Sequence, residues 1–344
     1  MLIPSPLESK RFGLRIFRAD LDSMDAAQLF AALAAHDADL AIVRLPTGVS
    51  SGIHALANHG MHALHADTLV TYECDLLRHA PAPLKAAPAA FELARPEDGA
   101  AISEMVRVVF ADYPSHYAAN PLLSRQGALE GYCEWALTHL DAENCLTWVM
   151  RANGKVAAFA CNAFDPAARI CQGVLYGVHP DFAGNGIYGD LIRHAQHHFK
   201  RLGYARMRVQ TQIGNLAVQR AWIRDGFVFA KALDTFHVNA LMDRQRDTIA
   251  ETALCWQDSG TISHLVSAAT ALLDPGSSSG ASACNAAMIG TPAPGSRCTL
   301  QLRRYELAQR PGHAILSATL HDADERLCGI AHFRSGAAGA GASS

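Results

Sequence analysis

Three glycines, Gly184, Gly186 and Gly189, stand between an apolar strand pattern ending GVLYGVH and a helical pattern, within GVHPDFAGNGIYGDLIRHAQHHF over 177–199. A helix start leaves N–H groups unpaired and partly positive, and glycine lets an anion come close to the main chain. The spacing therefore predicts a phosphate-binding turn, although a plain strand-to-helix connection has the same signature. Downstream, Asn215 opens the amphipathic run NLAVQRAWIRDGF, where asparagine is also a favoured N-cap. His194, His197 and His198 share one helix face. No acidic residue completes a zinc signature beside them, so a solvated helix face and no metal are expected.

The elements that must position these residues belong to a chain of 344 residues, which suggests two or three domains of about 80–150 residues. Half the residues are hydrophobic and the net charge is −3, which argues against a nucleic-acid partner. The start lacks a basic segment followed by an apolar one, and no long uninterrupted apolar run occurs, so a soluble cytoplasmic protein without a membrane partner is expected. Nine cysteines form no CxxC pair and are odd in number, which predicts reduced, buried thiols.

Apolar periodicity switches between about 2 and about 3.6 along residues 12–76, predicting a small β-α-β-α-β front domain over 1–78. HAPAPLKAAPAA, with three prolines and no apolar face, predicts a linker over 79–90. A second block over 91–241 has a short strand and two helices, then three strands with Asn153-Gly154 as a hairpin turn. The glycine turn, a helix, a strand, the Asn-led helix and a final strand region follow. From about residue 243, one buried helix (TISHLVSAATALL), a small and flexible-looking run (PGSSSGASACNAAMIG) and three antiparallel strands are expected to form a domain over 242–334, with a flexible tail at 335–344. The fold class is α/β (α+β).

This order, with VHPDFAGNGIYGDLI and NLAVQRAWIRDGF as its most specific parts, resembles the GNAT superfamily of acyl-CoA-dependent N-acyltransferases. The resemblance implies a mixed sheet flanked by helices, with an acyl-CoA such as acetyl-CoA as cosubstrate. The turn Ala183, Gly184, Asn185, Gly186, Ile187, Tyr188 and Gly189, together with Val178 and Asn215, would hold the coenzyme. Ala183 replaces the family's usual Gln or Arg, and Tyr188 replaces a small residue, so Tyr188 must point away from the phosphate. PLESKRFGLRIFRADL, SHYAANPLLSRQGALEGYCEW and RVQTQIGNLAVQRAWIRDGF are similar to the dTDP-fucosamine acetyltransferase branch, which acylates a nucleotide-linked amino sugar. That resemblance implies a nucleotide amino sugar as acceptor.

Acyl transfer from a thioester to an amine needs a route for the amine proton, oxyanion stabilisation and a way to accommodate the leaving thiolate. The resemblance implies Val178 N–H as oxyanion donor. Counting seven residues from Asn215, the branch's general-acid tyrosine is replaced by Trp222. Indole N–H donates a hydrogen bond but has no useful acidity. The thiolate then leaves with help from Trp222, or Tyr188 or His237 supplies the proton, or catalysis is lost and binding kept. Tyr113, His116, Tyr117, Asn120 and Tyr132 are candidates for the acceptor pocket, with aromatic packing of a loop as the alternative. Arg206 and Arg208 read as strand-surface charges or phosphate contacts.

The C-terminal region resembles hot-dog folds, in which antiparallel strands surround a helix; Asp258 and His264 are similar to the acidic residue and histidine of their hydratases but one residue too far apart, with a helix-capping Asp and a buried polar His as the alternative. It implies an acyl-recognition or dimerisation module, and with it a homodimer. The expected function is N-acyl transfer to a small-molecule amine; the alternatives are a catalytically silent acyl-CoA-binding protein and an acyltransferase for a non-sugar amine.

Overall fold

The computed structural model describes residues 2–85, 90–152, 154–257, 262–273 and 282–335. In chain order the elements are β1 (Ile3–Pro4), α1 (Pro6–Phe12), β2 (Ile16–Asp20), α2 (Ala26–Ala35), β3 (Leu40–Pro46), β4 (His62–Asp75), β5 (Phe91–Leu93), α3 (Gly99–Val109), α4 (Arg125–Asp141), β6 (Cys145–Ala152), β7 (Lys155–Asp165) and β8 (Ile170–Val178). There follow α5 (Ile187–Arg201), β9 (Arg206–Gln212), α6 (Leu216–Arg224), β10 (Val228–Asn239), β11 (Thr248–Cys255), α7 (Ile262–Leu273), β12 (Ser282–Met288), β13 (Arg297–Glu306), β14 (Ala314–His321) and β15 (Leu327–Ser335). The fold is mixed α/β. Two compact units are present: residues 1–66, 117–124 and 234–344, and residues 67–116 and 125–233. The front and C-terminal segments thus fall in one unit. Among the described residues no helix is long and apolar enough to cross a membrane.

In the first unit the strands run β1-β2-β3-β10, with β2 and β3 parallel. The apolar run LAIVRL of β3 is buried on both faces, as a parallel strand requires. Ala41, Val43 and Leu45 enter a core with Leu33, Leu56 and Ile330, whereas Leu40 and Ile42 pack with Leu122, Leu123 and Tyr305. Ile330 belongs to β15, so the front segment shares its core with the C-terminal strands. At Gly60, with φ at +74°, an added Cβ would lie 2.2 Å from Ile330 Cγ2. Only glycine fits both the backbone and the space.

The same unit contains an antiparallel sheet in the order β11-β13-β14-β15-β12. α7 packs on it through Leu265 and Ala269 against Leu300, Leu302, Ala318 and Phe333. The run expected to be flexible contains β12, which pairs with β15 from Ser282↔Arg334 to Met288↔Gly329. Small side chains weaken the local strand signal, and the neighbouring strand supplies the missing hydrogen bonds. β11 likewise escaped the sequence reading. Asp258 lies outside the described residues, whereas His264 stacks on Trp256 at 4.8 Å.

In the second unit the sheet runs β4-β9-β8-β7-β6-β5, antiparallel except for the parallel pair β8 and β9. α3 and α4 cover one face, where Ile102, Met105 and Val106 meet Val149, Phe159 and Leu175. On the other face, Leu191, Ala195 and Phe199 of α5 and Trp222 of α6 pack with Trp148 and Val209. The expected hairpin joins β6 to β7; Gly154 adopts φ +75°, and Asn153 lies outside the described residues.

Candidate active site

β8 and β9 pair only from Ile170↔Arg206 to Gly173↔Val209, although both continue further. On the opposite edge of β8, Cys161 faces Leu175 and Asn162 faces Gly173, leaving Val174 as a bulged residue. A bulge bends its strand, and beyond this one the parallel strands separate. The wedge is a cavity of about 900 Å³ lined by residues 173–178 and 209–211, by the turn residues 182–184 and 186–189, and by α6. Small-molecule sites have roughly 300–1,000 Å³, so the space suits an extended ligand.

His179 N–H donates to Ala157 C=O at 2.9 Å across the β7–β8 ladder. Backbone direction alternates along an antiparallel strand, so the N–H groups of Val178 and Tyr176 face the opposite edge. That edge borders the wedge, past the last β8–β9 pair. Val178 therefore presents a backbone donor to the cavity.

The glycine turn follows directly. A 3₁₀ turn over Pro180–Phe182 is closed by Ala183 N–H to Pro180 C=O at 3.0 Å, and Gly184 and Gly186 both take φ +80°. α5 starts at Ile187 with no side-chain cap. Its first N–H groups are thus available to an anion. Ala183, Gly184, Gly186, Ile187, Tyr188 and Gly189 all line the cavity, but Asn185 does not; its amide donates to Phe182 C=O.

Tyr188 points away from the turn into the wedge, where its hydroxyl accepts from Trp222 Nε1–H at 3.2 Å. Burial pushes the Tyr188 hydroxyl well above the usual tyrosine range, with the Trp222 hydrogen bond opposing it. The hydroxyl stays protonated, and because the indole N–H only donates, Trp222 does not take up its proton. Asn215 also lines the cavity but does not cap α6 with its side chain, contrary to the N-cap expectation; Nδ2 donates to Thr211 Oγ1 at 3.1 Å. Tyr113 joins this cluster through Thr211 Oγ1 at 3.2 Å and through Gln212. Burial raises the Tyr113 hydroxyl too.

The remaining acceptor candidates lie elsewhere. Tyr132 stacks on Phe110 at 5.1 Å, and His116 is buried without lining the cavity. Tyr117 and Asn120 belong to the first unit. There Tyr117 donates to Glu8, which Arg18 holds through two bonds of 2.6 Å, and Asn120 donates to Asn239 at 2.8 Å. Burial alone would raise Glu8, but the Arg18 contacts hold it below the usual carboxylate range. His237 is buried in that unit and is no part of the cavity; burial lowers it to about 4.

Of the α5 histidines, His194 and His198 are partly buried by packing, whereas His197 is exposed as expected. His194 stacks on Phe91 at 4.7 Å and meets Trp148, as does His198, while His197 Nε2 lies 3.0 Å from Ala82 C=O. Burial, then the neighbouring His198, lowers His194 to about 4. Arg206 and Arg208 both face Glu73, Arg208 at 2.7 Å.

Sequence reasoning missed the charged lining of the turn: Lys85, Arg193, Arg224 and Asp225. Arg193 joins Asp190 at 2.9 Å and Asp225 at 3.5 Å. The i, i+3 spacing of Asp190 and Arg193 was a legible signal; Lys85, in a proline-rich stretch, had none.

Residues 107–227 match the Acetyltransferase (GNAT) family. The matched segment spans α4 through α6, including the turn, Trp222 and most of the wedge lining, and the family is one of acyl-transferring enzymes whose usual cosubstrate is acetyl-CoA. SpsD of Bacillus subtilis (strain 168), a spore coat polysaccharide biosynthesis protein, is 28% identical over 153 residues, 44% of this chain and 52% of SpsD. The chain thus spans about half the length of this curated relative. Solved structures similar to the chain include a putative GNAT acetyltransferase from Novosphingobium aromaticivorans DSM 12444, 16% identical, covering 62% of this chain and 79% of that one with a TM-score of 0.41. Another is a GCN5-related N-acetyltransferase from Sphaerobacter thermophilus, 16% identical, covering 58% and 59% respectively with a TM-score of 0.41.

Proposed function

We propose that the protein transfers an acyl group from coenzyme A to the amine of a nucleotide-linked amino sugar. The observation that carries the acyl-CoA part is the wedge between β8 and β9, opening onto an uncapped helix start. An extended thioester fits the wedge, and the free N–H groups of α5 suit its diphosphate. The polysaccharide role in SpsD's name, together with the amino-sugar branch resemblance, supports the acceptor.

In this reading the neutral amine attacks the thioester carbonyl, a carbon–nitrogen bond forms as the carbon–sulfur bond breaks, the thiolate takes a proton from Tyr188, and the proton shed by the nitrogen restores the Tyr188 hydroxyl. Val178 N–H stabilises the developing oxyanion. Tyr188 donates the proton, held in place by Trp222, so the indole at the position of the branch's tyrosine is a positioning group. Tyr113, linked to Thr211 and Gln212, is the acceptor-side candidate retained from the sequence. The antiparallel sheet with α7 between its first two strands supports the hot-dog-like reading of the C-terminal region, as an acyl-recognition or dimerisation module.

The test is release of free thiol from acetyl-CoA in the presence of a nucleotide amino sugar. Thiol release only with the sugar supports the reading. Turnover of polyamines or amino acids instead would move the acceptor to a non-sugar amine, and coenzyme binding without any turnover would make this a binding protein.

A further inference from the structure

Residues 76–85 run along α5 as a strap. Lys200 Nζ donates to Leu76 C=O at 2.7 Å and to His79 C=O at 2.5 Å. His197 Nε2 meets Ala82 C=O at 3.0 Å, and Lys85 N–H donates to Asp190 Oδ1 at 3.0 Å. Positions 190, 193, 197 and 200 form one stripe on a helix, so a single face of α5 holds the strap along its length. Asp190, only 1% exposed, bonds both the strap and Arg193.

This anchoring delivers Lys85 to the glycine turn. A Cβ added to Gly186 would lie 3.3 Å from both Cδ and Nζ of Lys85, and Lys85 and Ala82 line the cavity. Arg193 is already neutralised by Asp190 and Asp225. Lys85 uses its backbone N–H on Asp190, and among the described residues its side-chain ammonium has no carboxylate partner. It is therefore a cation free to pair with a ligand, placed above the N–H groups that would hold a diphosphate.

We infer that the strap is part of the donor site and that Lys85 binds the diphosphate of the acyl-CoA, with Asp190 as the positioning residue that fixes the strap's end. This rests on the acyl-CoA reading of the wedge and goes beyond it by adding a segment that precedes the GNAT match. Lys85 is exposed, so its replacement leaves the fold intact. A charge-assisted contact is worth about 1.5–3 kcal/mol, so its loss should weaken binding by about tenfold or more.

The experiment is titration of the full chain and of Lys85→Gln with coenzyme A and with 3′-dephospho-coenzyme A. The expected result is an equal loss of affinity, about tenfold, for both ligands in Lys85→Gln, with recovery in Lys85→Arg. Unchanged affinity in Lys85→Gln, beside a wild type that binds, would overturn the role of Lys85 and leave the acyl-CoA reading standing. A loss seen only with coenzyme A would assign Lys85 to the 3′-phosphate and overturn the diphosphate contact. A wild type that binds neither ligand would overturn both readings.

Discussion

The Trp222 indole N–H donates to the Tyr188 hydroxyl at 3.2 Å, joining the start of α5 to the inner face of α6. Trp222 is 3% exposed and its ring also packs on Tyr72, so the donor is fixed in place. The indole cannot accept in return, so the Tyr188 proton remains for the thiolate of the proposed reaction. Tyr188→Phe should lower kcat by roughly 10²-fold or more, as removal of a general acid does. Trp222→Phe removes only the positioning bond and should cost less than about tenfold. Steady-state kinetics of both variants check this; equal and small effects would remove Tyr188 from proton transfer.

Gly186 sits at φ +80° beneath Lys85. Gly186→Ala forces a side chain into a left-handed conformation costing roughly 1–2 kcal/mol and crowds the Lys85 side chain. The expected outcome is a raised KM for acyl-CoA with a smaller change in kcat, measured at saturating acceptor.

Asp39, fully buried in the first unit, accepts from Arg15 N–H at 2.9 Å, Asp243 N–H at 3.1 Å and the Tyr305 hydroxyl at 2.8 Å. Burial raises its carboxyl despite these donors. Asp39→Ala strands three polar groups, each costing about 1–3 kcal/mol when unsatisfied. Urea unfolding should show a loss of at least about 2 kcal/mol; a change near zero would mean that water replaces the carboxylate freely.

His237 and His332, both buried, are lowered by burial to about 4. Unfolded, each imidazole takes up its proton near 6.5; folded, it does so only near 4. Between these values the unfolded chain binds more protons, so acid favours unfolding. The stabilisation is complete above about pH 6.5 and is lost as the pH falls toward 4, by up to about 1.4 kcal/mol per pH unit for each group. Thermal melts between pH 7 and 4.5 should show a falling Tm, with a shallower slope in His237→Gln. An unchanged slope would mean that Glu8, close to His237, stabilises its protonated form in the fold.

Much of the second unit was legible because local patterns and the final contacts agree: β7 carries a short apolar run buried on both faces, β8 alternates along its length, and Gly184 and Gly186 adopt the positive φ that glycine permits. β12 was hidden because its small residues carry little hydrophobic signal and depend on β15 for pairing. Side-chain roles were less legible still. Asn215 carried a capping signal, yet Thr211 takes its amide; His194 and His198 carried a polar-face signal, yet Trp148 covers them.

By itself the sequence determined most of the order of elements in the second unit, the glycine turn at the helix start and the spacing of seven residues from Asn215 to Trp222, since each depends on residue type and short spacing. Only the tertiary structure decided that β8 and β9 part after Gly173, that Tyr188 meets Trp222, and that Tyr117 and Asn120 lie outside the wedge. It also decided that Lys85 reaches Gly186. These relationships join residues tens to hundreds of positions apart, and the packing that brings them together leaves no periodic trace in the chain.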